Sequence, residues 1–108
     1  MMWSIDIHDD GLLVAPTAAN LDAAVASVFR EEMLLLLDSG KSIVLDFGSV
    51  RFIDTSGLGA LCAMAERAGP GQLRFEGMTE RLARSLARAP SLEPLWKKRF
   101  AVPLRIIA

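Results

Sequence analysis

A short apolar strand running into a hydroxyl-bearing, glycine-containing helix start constrains this 108-residue chain more than any other feature. Ser42-Ile43-Val44-Leu45-Asp46-Phe47 reads as a buried strand, and Arg51-Phe52-Ile53-Asp54-Thr55-Ser56-Gly57-Leu58-Gly59-Ala60 as the turn and helix start that follow it. Downstream, Leu58, Leu61, Cys62 and Ala65 recur at helical spacing, so one face of that helix packs inward. The pattern predicts a helix over about residues 56–68, stopped by Gly69-Pro70-Gly71, with Ser56 at or beside its N-cap. A helix start carries spare N–H donors and the positive end of a dipole, which suit a phosphoryl group. Ser56 is therefore the first candidate for a chemical switch.

The rest of the chain supplies a frame for that turn. Trp3, Ile5 and Ile7 alternate with Ser4, Asp6 and His8, which predicts a half-buried strand. Asp9-Asp10-Gly11 then turns it into a hairpin with Leu12–Ala15, closed by Pro16. Asn20 is the expected N-cap of a helix over residues 21–38, with Asp22 in its first turn and Leu21, Val25, Val28, Phe29, Met33, Leu36 and Leu37 inward. The run Leu34-Leu35-Leu36-Leu37 is wider than one face needs, and burial from two sides is favoured over an interface. Gln72–Phe75 alternates as another strand, and Thr79 caps a third helix with Leu82 and Leu86 inward. Pro90 ends that helix, and Ser91 starts a last short one containing Leu92, Leu95 and Trp96. The order β-β-α-β-α-β-α-α predicts one α/β domain over residues 1–108: a central mixed sheet of about four strands, parallel in its later part, with helices mainly on one face. The tail at 100–108 is strand-like, but Pro103 would restrict it to an edge. Three placements stay open for it: an extra edge strand, a neighbouring chain in a homodimer, or a cover over the core.

Several function classes fall away. The net charge of −1 gives no basic field to hold nucleic acid, and Lys97-Lys98-Arg99 reads as a solvated helix end. One cysteine, Cys62, makes no internal disulfide, and with one histidine, His8, no His/Cys zinc site can be assembled. No apolar run is long enough to cross a bilayer, and the N-terminus lacks a signal-peptide profile, so a soluble cytoplasmic protein is expected. A nucleophilic serine would need a base, and Asp54-Thr55-Ser56-Gly57 lacks the glycine of a nucleophile elbow. Asp46 and Asp54 serve equally well as turn and cap residues. Gly57-Leu58-Gly59 is too short to cradle phosphates. A nucleotide-binding protein or enzyme is thus disfavoured, and no cofactor or metal is expected.

With its flanks in place the chain resembles a STAS domain of the anti-sigma factor antagonist type. The match rests on Leu21-Asp22, on Val44-Leu45-Asp46-Phe47, on Phe52-Ile53-Asp54-Thr55-Ser56-Gly57-Leu58-Gly59, and on Leu73-Arg74-Phe75-Glu76-Gly77. Thr55 replaces the commoner first serine, and Pro16-Thr17-Ala18-Ala19 stands where many members have a glycine-containing turn. The resemblance implies a regulatory module that binds an anti-sigma factor/serine kinase, is switched off by phosphorylation of Ser56, and is restored by a serine phosphatase. It implies a docking surface around Asp22, Asp54, Thr55 and Gly57, with Met64 and Arg67, expected on the outer side of the second helix, as further candidates. With Asp22 and Asp54 flanking the site, little cationic compensation is expected there. Similar Asp-Thr signatures occur in small STAS subunits of lipid-transport ABC systems that bind an ATPase, and this is the rival reading.

Overall fold

In the computed structural model, which describes residues 3–17, 20–87 and 104–107, the alternation at the N-terminus becomes a regular hairpin. Strands β1 (Trp3–His8) and β2 (Gly11–Pro16) pair antiparallel from Trp3↔Pro16 to His8↔Gly11. After a short β3 (Asn20–Leu21) come α1 (Ala23–Asp38), β4 (Ile43–Asp46), β5 (Phe52–Ile53), α2 (Thr55–Arg67), β6 (Leu73–Thr79), α3 (Glu80–Ala87) and β7 (Leu104–Ile107). The main sheet has five strands in the order β1-β2-β4-β6-β7, all parallel after the hairpin, while β3 and β5 form a separate parallel pair.

Register explains which face is dry. Leu12↔Ile43↔Leu73 and Val14↔Leu45↔Phe75 align across three strands and point the same way. All six are buried, together with Phe29, Met33 and Leu37 of α1 and Leu61, Met64 and Ala65 of α2. The intervening Leu13, Val44 and Asp46 are half-buried, and Arg74 is exposed, on the opposite face. Trp3 packs edge-on against Phe29 with ring centroids 5.2 Å apart, and its indole Nε1 donates to Glu32 Oε1 at 3.2 Å. Phe47 and Phe75 meet in the same T-shaped way. Side chains of this size each contribute about 1.5–3 kcal/mol by leaving water, so this face holds the sheet to its helices.

The structure departs from the sequence pattern at several places. Asn20 does not cap α1. It pairs with Phe52 in β3–β5, and Asp22, with extended backbone, makes the cap by accepting the Ala24 N–H at 3.0 Å. Val28 is 49% exposed while Ala26 is buried, because the inner stripe is turned toward α2, where a small side chain allows close approach. Within the leucine run, Leu37 is buried, Leu34 and Leu36 pack on the core margin, and Leu35 is 71% exposed, so burial from both sides does not hold. Ile7 is 84% exposed, beyond the reach of the helices. The expected strand at 72–75 continues to Thr79 through an irregularity between Phe75 and Met78. There Gly77 adopts φ +73°, and a Cβ would collide with the Asp46 carboxylate. Thr79 does cap α3, its Oγ1 accepting the Leu82 N–H at 3.1 Å, and Leu82 is buried. Of the three placements for the tail, β7 takes the edge-strand one, beside β6. The expected helix after Ser91 and the Leu86 side chain lie outside the described residues.

Candidate functional site

The candidate site is a corner where two helices begin side by side. Leu21 pairs with Ile53, and the Leu21 carbonyl also accepts the Asp54 N–H at 3.4 Å, so the strand before α1 is tied to the strand before α2. Asp54 has extended backbone (φ −89°, ψ −174°), which ends β5 and begins α2. Its Oδ1 accepts the Gly57 N–H at 3.0 Å and its carbonyl accepts the Leu58 N–H at 2.9 Å. Asp54, not Ser56, is therefore the N-cap. A carboxylate three residues before the amide it caps has the reach that a hydroxyl already inside the first turn lacks. Ser56 falls at the second helical position and is exposed, as is Thr55. Phe52, 56% exposed, stands on the strand just before them.

Gly57 lets the corner close. It is buried, and a Cβ there would collide with the Leu21 carbonyl and lie 2.7 Å from the Ile53 Cγ2. Between the helices runs a groove of about 380 Å³, floored by Ala23, Ala26, Gly59 and Ala60, with Ser56 in its wall and Arg30 and Glu66 farther along. Little cationic compensation is expected here, and Arg30, which lines the same groove as Glu66, is the cation found nearest in it. Ala23, Ala26, Ser27 and Arg30 follow helical spacing along the face of α1 toward α2, a signal present in the sequence once that face is known.

Two of the sequence candidates do not join this corner. Met64, expected on the outer side, is fully buried. It lies eight residues after Ser56, and at 100° per residue that rotates it from the exposed side into the core. Arg67 is exposed but lies at the far end of α2, about 16 Å along the axis from Ser56 at 1.5 Å per residue. It pairs there with Asp38 at 2.6 Å. Asp22, Asp54, Thr55, Ser56 and Gly57 are brought together. Asp46 acts as a turn residue, its Oδ1 accepting the Gly48 N–H at 2.8 Å.

Chemically the corner suits binding. Cys62, half-buried in the groove, has its thiol pushed above the ordinary value by burial and then by Glu66, which keeps it from being a ready nucleophile. No cluster of His, Cys, Asp and Glu among the described residues could hold a metal ion. No helix among them is long and apolar enough to cross a membrane. Asp54→Ala should cost about 1 kcal/mol, the usual value of an N-cap, and lower Tm by roughly 5 °C. A thermal melt unchanged from wild type would show that the cap is not made.

Comparison with known proteins places the corner in a family. A family model described as "Mlab, STAS domain" matches residues 17–90, more than half of the chain. An anti-sigma factor antagonist from Mycobacterium paratuberculosis has a similar structure, with TM-score 0.74 and 20% identity over 95% of this chain and 83% of that one. The anti-sigma factor antagonist SpoIIAA in its unphosphorylated form superposes with TM-score 0.69 and 13% identity, over 98% and 88% of the two chains. The Bacillus cell fate determinant SpoIIAA in its phosphorylated form gives TM-score 0.68 and 13% identity, over 98% and 91%. At such identities the likeness is one of fold. Comparison with curated proteins yields no match.

Proposed function

We propose, from the premise that this chain belongs to the STAS domain family, that it is a regulatory protein-binding module of the anti-sigma factor antagonist kind, switched by phosphorylation of Ser56. The observation that carries the reading is the division of labour at the start of α2. Asp54 makes the cap, and Ser56, two residues on, is exposed with no structural task that a phosphoryl group would disturb. The existence of a phosphorylated form of SpoIIAA, a protein of the same fold, supports a switch of this kind.

The partner in this reading is an anti-sigma factor that is also a serine kinase, with a serine phosphatase restoring the unmodified form, all in the cytoplasm. Phe52, Thr55 and the groove beside Ser56 form the surface on which it docks. Unmodified Ser56 is small and neutral, so a partner can close over it. Phosphorylation adds about −1.5 to −2 charge at pH 7. The helix start compensates by about 0.3–1 kcal/mol, and Arg30 farther along the groove adds attraction, while Asp22 and Asp54 repel. The fold therefore tolerates the dianion, whereas a docked partner fitted to a hydroxyl meets a charge that it cannot pair. The chain itself is not an enzyme in this reading and needs no cofactor.

Intact-mass measurement after incubation with ATP and a candidate serine kinase from the same operon should show one added phosphoryl group on wild type and none on Ser56→Ala. A labelled Ser56→Ala would overturn the assignment, with Thr55 the next acceptor to examine. Thr55 favours a second reading, a small subunit of a lipid-transport ABC system that binds its ATPase, because it sits exposed at the first helical position in an Asp-Thr signature. Co-purification with a transporter ATPase, unaffected by ATP-dependent labelling, would select it.

A further inference from the structure

We infer that β1 is a self-pairing edge, through which two copies of this chain join their sheets antiparallel with Ile5 opposite Ile5. Strand β1 is the end of the main sheet, and no described strand lies on its outer side. The direction of its backbone groups follows from the hairpin. The Leu12 N–H is directed away from β1, to the Ser42 carbonyl at 2.8 Å, so the groups of Leu13 turn toward Asp6. Ser4, Asp6 and His8 thus spend their N–H and C=O groups on β2, and those of Trp3, Ile5 and Ile7 face outward. An edge of this kind is ordinarily blunted by lysine, proline or a bulge. β1, Trp3-Ser4-Ile5-Asp6-Ile7-His8, has none of them, and its register is unbroken.

A second copy fits this edge in one favoured register. Centring the pair on Ile5 sets Trp3 opposite Ile7 and Ile7 opposite Trp3, so every outward backbone group of the three residues finds a partner in the other strand. On the helix-bearing face, Ile7, 84% exposed in the single chain, comes to lie against the Trp3 side of the second copy. On the other face, Ser4 comes opposite Asp6, a close pair in which a hydroxyl can donate to a carboxylate. Moving the centre one residue on, to Asp6, would set the two Asp6 carboxylates against each other and leave Trp3 without a partner within the strand. Both faces and the backbone therefore agree on the same alignment.

Sedimentation equilibrium of the full chain over a concentration series tests this without any kinase or partner. Wild type should show a reversible monomer–dimer equilibrium. Ser4 is exposed, so Ser4→Asp and Ser4→Lys should fold alike. Ser4→Asp, which places like charges opposite Asp6 twice, should weaken the dimer by roughly tenfold, and Ser4→Lys should tighten it by a similar factor. Ile7→Lys should weaken it as well, by removing the apolar contact that Ile7 makes with the Trp3 side of the second copy. A chain that stays monomeric throughout the series, or a dimer whose dissociation constant is indifferent to the charge at position 4, overturns the inference.

Discussion

Ser56→Asp is expected to weaken binding to the cognate kinase-type partner by about a hundredfold or more, with Tm within a degree or two of wild type. The two halves of this result have separate causes. Inside a closed interface the new carboxylate is desolvated and faces a surface fitted to a hydroxyl, a cost of several kcal/mol, and each 1.4 kcal/mol is tenfold in affinity. In the free chain the same side chain is exposed at the second position of α2. There the helix start attracts it by about 0.3–1 kcal/mol, while Asp54, already committed to the Gly57 N–H, repels it by a comparable amount. Titration calorimetry measures the first half and differential scanning calorimetry the second. Equal affinity of variant and wild type would remove Ser56 from the interface. A large fall in Tm would mean that the hydroxyl has a structural task and that lost binding says nothing about a switch.

Gly57→Ala should lower stability by about 2 kcal/mol, or roughly 10 °C in Tm. The added carbon meets the Leu21 carbonyl, a backbone atom that is itself fixed by pairing with Ile53 and Asp54, so the obstacle cannot swing aside. Alanine's advantage in helix propensity, about 1 kcal/mol, reduces the loss and does not cancel it. Gly59→Ala is the matched control, since a Cβ there meets nothing within 4 Å and only the propensity gain remains. That variant should melt slightly above wild type. If the two substitutions behaved alike, the close packing of α2 against the strand before α1 would be refuted.

The sequence made the strand-to-helix turn legible because its signals are local. Buried strand, acidic residue, hydroxyls, glycine and then an apolar stripe follow one another within a few turns of chain. Identities at the helix starts were less legible, since Asn20 and Ser56 are good capping residues by type, and only the pairing of residues 20–21 with 52–53 decides that Asp22 and Asp54 hold the caps. Met64 and Arg30 show the same limit from two sides. Helical spacing fixes which residues share a face, but which face meets water depends on where the neighbouring helix lies, and α1 covers part of α2. The tail was undecided for a different reason, because a parallel edge strand next to β6 is a contact between segments distant in sequence that no local pattern announces.

The pairing of Asn20–Leu21 with Phe52–Ile53 stands apart from the five-stranded sheet and contains only two residue pairs. A junction that small can loosen as a unit while the main ladder stays intact, at a free energy below that of global unfolding. The beginnings of both helices would then breathe together, and a protein seated across them would damp both at once, so that each helix senses what touches the other.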